Sequence, residues 1–348
     1  MKWNVVQPEH IGRHLLVTGG AGFIGSNFIP YYLKNNPNSI VINLDKLTYA
    51  GNLAHLSEVE NNNRYNFIEG DICNKDLIHD IFGDYHIDSI IHFAAESHVD
   101  NSITGPKAFI DTNINGTFTL LEAAKSLWLT DRYQPRKSFE NARFHHISTD
   151  EVFGTLGEKG YFNENTPYAP NSPYSASKAA SDFLVRSYHH TYGLNVVTSN
   201  CSNNYGPKQH DEKLIPTIVR RGLRGQAIPI YGSGENVRDW LFVKDHCEGI
   251  EKVFRRGVTG ETYVIGGNNE QNNLSIARKI CHILDEWHPK KNGSYAEQIT
   301  FVKDRPGHDY RYAIDARKIN SQLHWQPTTD FEEGLRQTVQ WFAQKYLE

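Results

Sequence analysis

The sequence is poor in the features that mark metal scaffolds, secreted disulfide frameworks and membrane spans. It has only four cysteines in 348 residues, Cys73, Cys201, Cys247 and Cys281, and they are scattered. Neither a paired framework nor a metal-binding spacing can be built from them, so they read as reduced, mostly buried thiols of a cytoplasm-like compartment. No run of eighteen apolar residues occurs, which excludes a spanning helix and predicts no membrane partner. The opening MKWNVVQPEHIGRH is polar and lacks the apolar stretch of a signal peptide, and the first dozen residues receive no role. Neither charge sign dominates: the formal net charge is −4, which argues against nucleic acid as a partner while leaving room for a local basic groove. There are seventeen histidines but no HExxH, and His145 and His146 are adjacent rather than one helical turn apart, so no metal site is expected. Internal repeats and low-complexity tracts are also missing.

The chain is long enough for one large and one smaller domain. Short runs at 14–18, 40–44, 87–93, 143–148 and around 194–200 read as strands. Between them lie helical stretches from Phe23 to the Asn-Pro run at 35–38, from Phe109 to Leu129, and from Ser175 to Tyr192, the last closed by Gly193. Strands alternating with helices predict an α/β fold, a Rossmann-like doubly wound parallel sheet covered on both faces. After about Asn204 the texture becomes loop-rich. The expected division is 13–204 for a dinucleotide-binding domain and 205–348 for a smaller C-terminal substrate-binding domain. Segments near 244–265 are expected to return to the large sheet.

GGAGFIG supplies the glycine spacing Gly19, Gly22, Gly25 between a strand and a helix. Such a turn lets a pyrophosphate approach backbone N–H groups at a helix N-terminus. Asp45 ends the second strand, twenty residues past Gly25. A carboxylate there accepts hydrogen bonds from ribose hydroxyls and repels a 2′-phosphate, which favours NAD over NADP. Asp71 and Ile72 suit the adenine, although Asp71 is equally read as a helix cap. Ala94 and Ala95 offer small side chains where the dinucleotide must pass.

Tyr174 and Lys178 stand one helical turn apart in YSASK and can face the same cleft. An ammonium beside the phenol and the positive charge of a nicotinamide both favour the phenolate, and the pair suits hydride transfer at an alcohol carbon. Thr149 can orient the alcohol. Asp150 and Glu151 follow it at a strand's C-terminal end, where open α/β sheets bind ligands. Oxidation at a sugar C4 makes the C5 proton acidic; Glu151 can remove it, and a protonated Asp150 can donate to the departing C6 hydroxyl. Downstream, Asn203, Lys213, Arg238, Arg305 and His308 are candidates for a nucleotide-sugar diphosphate, arginine through its planar donor fork. Tyr231 and Trp240 read equally as core or as base-stacking groups.

With TGGAGFIGSN, DKLTYAGN, AAESHVD, STDEVFG, SPYSASKAASD, NCSNNYGP and DRPGHD in place, the chain resembles the dTDP-glucose 4,6-dehydratase family of extended short-chain dehydrogenases/reductases, over about residues 13–342. The resemblance implies a catalytic set of Thr149, Asp150, Glu151, Tyr174 and Lys178. It implies NAD contacts at Phe23, Ile24, Asp45, Lys46, Thr48, Asp71, Ile72, Ala94, Ala95, Ser97, Thr112, Tyr174, Lys178 and Asn204. For dTDP-glucose as substrate it implies His98, Asn203, Lys213, Leu214, Pro229, Tyr231, Arg238, Asn273, Arg305 and His308. It also implies a homodimer in which helices 109–129 and 175–192 form a four-helix packing. Asn101 and Tyr310 stand where arginine is usual, and KQHDEKLIP departs from the family form. These departures leave nucleobase choice, thymidine or uridine, open. A C4 epimerase shares the glycines and the Tyr/Lys pair but has no use for an Asp-Glu acid–base pair. A decarboxylase would want a cation there instead, and a dinucleotide sensor would need no phenolate.

Overall fold

The computed structural model describes residues 13–304 and 308–347. In chain order the first half comprises β1 (His14–Thr18), α1 (Phe23–Asn35), β2 (Ile40–Asp45), β3 (Tyr65–Glu69), α2 (Lys75–Asp84), β4 (Ser89–His92), α3 (Val99–Thr104) and α4 (Pro106–Phe109). A π-helical segment, Ile110–Gly116, leads into α5 (Thr117–Trp128). A small hairpin, β5 (Leu129–Asp131) and β6 (Gln134–Pro135), precedes β7 (Arg143–Thr149), α6 (Pro173–Tyr192), β8 (Val196–Cys201) and β9 (Asn203–Tyr205). Then follow α7 (Leu214–Leu223), β10 (Ile228–Tyr231), β11 (Val237–Phe242), α8 (Val243–Arg256), β12 (Thr262–Ile265), β13 (Glu270–Asn272), α9 (Asn273–Trp287), β14 (Ile299–Val302), α10 (Arg317–Leu323) and α11 (Phe331–Leu347).

Seven strands form one sheet in the order β12-β8-β7-β4-β1-β2-β3, every pairing parallel. The order reverses between β1 and β4, which opens a crevice at the strands' C-terminal ends. Two apolar cores flank the sheet. One places Leu16, Ile42, Ile90 and Phe144 against α2, α5 and α6. The other places Leu15, Val17, Val41 and Ile91 against α1 and α8. Successive strand residues point to opposite faces, so strand centres covered on both sides are apolar, as Leu15–Val17 of β1 and Ile90–Ile91 of β4 are.

The segment after Asn204 contributes in two ways. α8 and β12 join the large sheet, β12 pairing with β8 from Thr262↔Thr198 to Ile265↔Cys201. α7, α9 and α11 enclose a separate core of Ile215, Val219, Ile276, Ile280, Leu335 and Phe342, beside the parallel β10–β14 pair. Among the described residues no helix is long and apolar enough to cross a membrane, and no group of three or more His, Cys, Asp or Glu could hold a metal ion.

Two segments differ from their expected form. The strand expected over 87–93 is shorter, Ser89–His92, because the chain beyond it turns along the cleft. The helix expected over 109–129 is interrupted by the π-helical turn, whose wider winding brings Asn113 inward. α6 has both its signals: Ser172 and Ser175 form a capping box, and Gly193 closes it at φ +74°. A Cβ at Gly193 would meet the Tyr133 ring at 2.3 Å. Gly193→Ala should therefore cost at least about 1–2 kcal/mol from the left-handed backbone alone, read as a fall of a few degrees in Tm with activity per folded molecule unchanged.

Candidate active site

The cleft lies along the C-terminal edge of the sheet, and Gly19, Gly22, Phe23, Ile24 and Gly25 line its floor. The backbone there is close-packed. Gly19 sits at φ +72°, and a Cβ on it would lie 2.6 Å from the Ala94 nitrogen. A Cβ on Gly25 would lie 2.5 Å from the Gly19 carbonyl oxygen. Helix α1 starts with Gly22 as its cap, with no side-chain cap hydrogen bond and no acidic residue in its first turn. Its leading N–H groups are thus left to an external anion, as a pyrophosphate requires. At the end of β2, Asp45 is buried; Oδ2 accepts from Ala21 N at 2.9 Å and Oδ1 from Leu47 N at 2.9 Å. Burial raises its pKa while the two backbone donors oppose the rise. Both oxygens keep lone pairs for ribose hydroxyls.

Further along the cleft stand Lys46, Thr48, Asp71, Ile72, Ala94, Ala95, Ser97, Thr112 and Asn204. Asp71 does not cap a helix, since Asn74 is the cap of α2, but it does line the cleft. Its Oδ1 accepts from Cys73 N at 2.9 Å, as a turn cap would, and its Oδ2 pairs with Lys46 at 2.7 Å on the cleft wall. The residues named for the dinucleotide therefore meet in one groove, and their donors, small side chains and carboxylates fit NAD.

At the inner end the cleft is lined by Thr149, Asp150, Glu151, Tyr174 and Lys178. β7 ends at Thr149, and a tight 3-10 turn, Asp150–Phe153, follows at once. The Thr149 hydroxyl accepts from Glu151 N at 3.3 Å, which holds that turn closed. The two carboxyls thus leave the strand in different directions. Asp150 is 2 % exposed, and its Oδ2 is buried with no hydrogen-bond partner among the described residues. Burial first, then the charges of Glu151 and Asp239, push its pKa well above the ordinary carboxyl value. A carboxyl held protonated with one oxygen unengaged is suited to give a proton away.

Lys178 is 4 % exposed and donates to the Ile147 carbonyl at 2.8 Å. Burial lowers its pKa and Asp182 opposes the fall. At Tyr174 the protein's own groups oppose the phenolate. Burial, then Glu151, pushes the phenol well above its usual range, and the Thr149 hydroxyl only partly offsets this. The carboxyls expected to serve as acid and base thus work against the phenolate that Lys178 was expected to favour.

The downstream candidates divide. Asn203 and Lys213 line the cleft, Lys213 donating to the Ser97 carbonyl at 3.3 Å. His98 caps α3 and faces Glu212, a cleft residue, at 3.7 Å. Leu214, Pro229, Tyr231, Arg238, Asn273 and His308 lie outside the cleft lining. Tyr231 is exposed and edge-on to His308, with ring centroids 6.4 Å apart, and His308 pairs with Asp304 at 2.6 Å. Pro229 sits on β10 and Asn273 opens α9. Arg238 is buried on the Tyr312 ring, donating to the carbonyls of Val237 at 2.7 Å and Asp309 at 2.9 Å. Arg305 lies outside the described residues. Tyr231 is thus a surface aromatic and Trp240 a core one. Neither Asn101 nor Tyr310 reaches the cleft lining.

Sequence reasoning missed Asn113. Its amide accepts from Glu96 N at 2.9 Å and donates to the Ser177 hydroxyl at 2.8 Å, tying the loop after β4 to α6 beside Tyr174. A polar residue buried within a helical pattern was the available signal.

A family model described as GDP-mannose 4,6 dehydratase matches residues 16–338. A dTDP-glucose 4,6-dehydratase of Xanthomonas campestris pv. campestris is 54% identical over 94% of this chain and 92% of its own length. Its counterpart in Salmonella typhimurium is 53% identical over the same shares. The crystal structure of dTDP-glucose 4,6-dehydratase from Bacillus anthracis, in complex with NAD, is 43% identical with a TM-score of 0.83, over 95% of this chain and 97% of that one. A UDP-glucose 4-epimerase from Thermotoga maritima shares the architecture at 26% identity and a TM-score of 0.82, over 97% and 100% of the two chains. With the glycine turn, the Tyr174–Lys178 pair and the Thr149–Asp150–Glu151 turn gathered in one cleft, the chain belongs to the GDP-mannose 4,6-dehydratase family, among its dTDP-glucose 4,6-dehydratases.

Proposed function

We propose that this protein is an NAD-dependent lyase that converts dTDP-glucose to dTDP-4-keto-6-deoxyglucose and water. The observation that carries this reading is Asp150: buried, pushed toward its protonated form, one oxygen without a partner, and next to Glu151 in the cleft of Tyr174 and Lys178. An epimerase needs no such acid. NAD, held by the glycine turn, Asp45 and Lys178, would supply the reversible hydride acceptor for oxidation at C4 and reduction at C6, and its positive charge would favour the Tyr174 phenolate.

The residues take the following roles. Gly19, Gly22 and Gly25 admit the pyrophosphate, Asp45 takes the adenosine ribose, and Lys178 holds the nicotinamide ribose. Tyr174 takes the C4 hydroxyl proton while the Thr149 hydroxyl orients that oxygen. The C5 proton, now α to a carbonyl, goes to Glu151. Asp150 gives its proton to the C6 oxygen, which leaves as water. Asn203 and Lys213, from within the cleft, are proposed to meet the nucleotide sugar. For Arg238 to join them, its guanidinium must release its present carbonyl partners. The homodimer reading is supported by Ile110 and Phe118, exposed on the π segment and α5, and by Phe183, exposed on α6; these are the helices expected to pack across a two-fold axis. The free cysteines and the lack of a membrane-crossing helix among the described residues support a cytoplasmic location.

The direct test is dTDP-glucose carrying deuterium at C4. The expected product carries the label at C6 and has lost one hydroxyl as water; label remaining at C4 rejects the reading. Glu151→Gln should cut net turnover by about 10²–10⁴-fold, the usual worth of a positioned base, with incorporation of solvent hydrogen at C5 falling in step.

Asp150 also makes a stability prediction. Its folded pKa is raised from 3.8, so between the unfolded and folded values the native state holds the extra proton. Stability from this group is full below the unfolded value and is lost as pH rises through the folded one. Asp150→Asn should therefore raise Tm at neutral and alkaline pH, with little change near pH 3, while turnover falls by about 10²-fold or more.

A further inference from the structure

One buried charge close to the cleft has no part in this chemistry. Asp182 sits one turn after Lys178 on α6, is 5 % exposed, and does not line the cleft. Its Oδ2 accepts three hydrogen bonds: from Ser148 Oγ at 2.9 Å, Tyr168 Oη at 2.8 Å and Asn200 Nδ2 at 3.1 Å. The donors come from the end of β7, the loop before α6, and β8. Asn200 also donates to the Thr149 carbonyl at 3.0 Å, so one amide joins Asp182 to the backbone of the catalytic turn. Lys178 in turn donates to the carbonyl of Ile147, next to Ser148.

We propose that Asp182 is a positioning residue for the dehydratase reaction: its buried carboxylate keeps the Lys178 ammonium charged and clamps the strand end that carries Thr149, Asp150 and Glu151. This rests on the functional reading above. Without a counter-charge, burial would lower the pKa of this ammonium further. Three donors on a single oxygen are the arrangement that holds a carboxylate ionised where burial alone would neutralise it. The other titratable groups facing Asp182 are His146 from β7, whose Nε2 stands 3.1 Å from Oδ1, and the Tyr168 phenol. His146 is packed against His92 from β4, and burial brings its pKa down to about 4. It is neutral at working pH and cannot replace Lys178 as the cation. Burial raises the Asp182 pKa, but His146, Lys178 and Ser148 together bring it below the ordinary value.

The test is Asp182→Asn, which keeps an acceptor for the three donors and removes the charge. The Lys178 ε-carbon resonance, followed by NMR in lysine-labelled protein without substrate and assigned with Lys178→Met, should titrate about one pH unit lower or more. The alkaline limb of kcat should move down with it while KM for the sugar nucleotide stays within about twofold, since Asp182 touches no substrate. A uniform loss of kcat with an unmoved Lys178 midpoint would mean a purely structural carboxylate and overturns the proposal. Should Asp182→Asn not fold, Ser148→Ala combined with Tyr168→Phe keeps the charge and strips two donors. The acidic limb of kcat should then rise, and a profile superimposable on the parent's overturns the proposal. The NMR midpoint is read without turnover, so failure of the dehydratase reading itself, seen as no product from the parent enzyme, stays separate from failure of this inference.

Discussion

Desolvation at the C-terminal edge of the parallel sheet is the constraint on which the cleft depends. Strands covered on both faces are buried along their length, and their ends carry Thr149, Asp150 and Asn200, which are buried as well. Between positions 150 and 182 the chain buries Asp150, Tyr174, Lys178 and Asp182. Each would revert toward its neutral form if left alone. What differs among them is the company they keep. Asp182 has three donors and remains ionised. Asp150 has a single hydroxyl contact, at 3.3 Å, and two repelling carboxylates, and it keeps its proton. Two chemically identical side chains are set to opposite protonation states by hydrogen bonding and charge, at nearly equal burial.

The same constraint explains the backbone. A dinucleotide can reach the sheet edge only where main chain replaces side chain, as the near-contact of Gly19 with Ala94 illustrates. β1 and β4 flank the reversal of strand order, so the glycine turn of one and the small residues after the other meet across a single crevice. The π-helical turn at Ile110–Gly116 serves the same junction. By turning Asn113 inward it gives the Glu96 backbone groups partners they would otherwise lack away from water.

Most of the large sheet was legible because its strands are short, apolar and separated by helices with readable ends; Gly193 is the clearest instance. That the proposed catalytic residues would share one cleft was legible because their spacing is local: Tyr174 and Lys178 share a helix face, and Thr149–Asp150–Glu151 are consecutive. What could not be read are relations between distant segments. Arg238 carries the right chemistry for a diphosphate, but its sequence does not reveal that the carbonyls of Asp309 and Tyr310 arrive to engage it. The raised pKa of Tyr174 likewise comes from summed burial and from carboxylates on another element. Asp182 looks like any polar residue on a long helix until Ser148, Tyr168 and Asn200 converge on it.

The arrangement also bears on why one cleft can hold an acid and a base side by side. Adjacent carboxyls in a dry site cannot both ionise cheaply, so the proton settles on the more buried one. That is Asp150, at 2 % exposure, whereas Glu151 is only partly buried. The 3-10 turn makes this division automatic, because two consecutive residues in a tight turn cannot point the same way. Each carboxyl raises the other's cost of ionising, so a proton taken up by Glu151 eases loss of the one on Asp150. The proposed elimination uses that order: abstraction at C5 and donation at the C6 oxygen are coupled because the site favours only one charged carboxyl at a time.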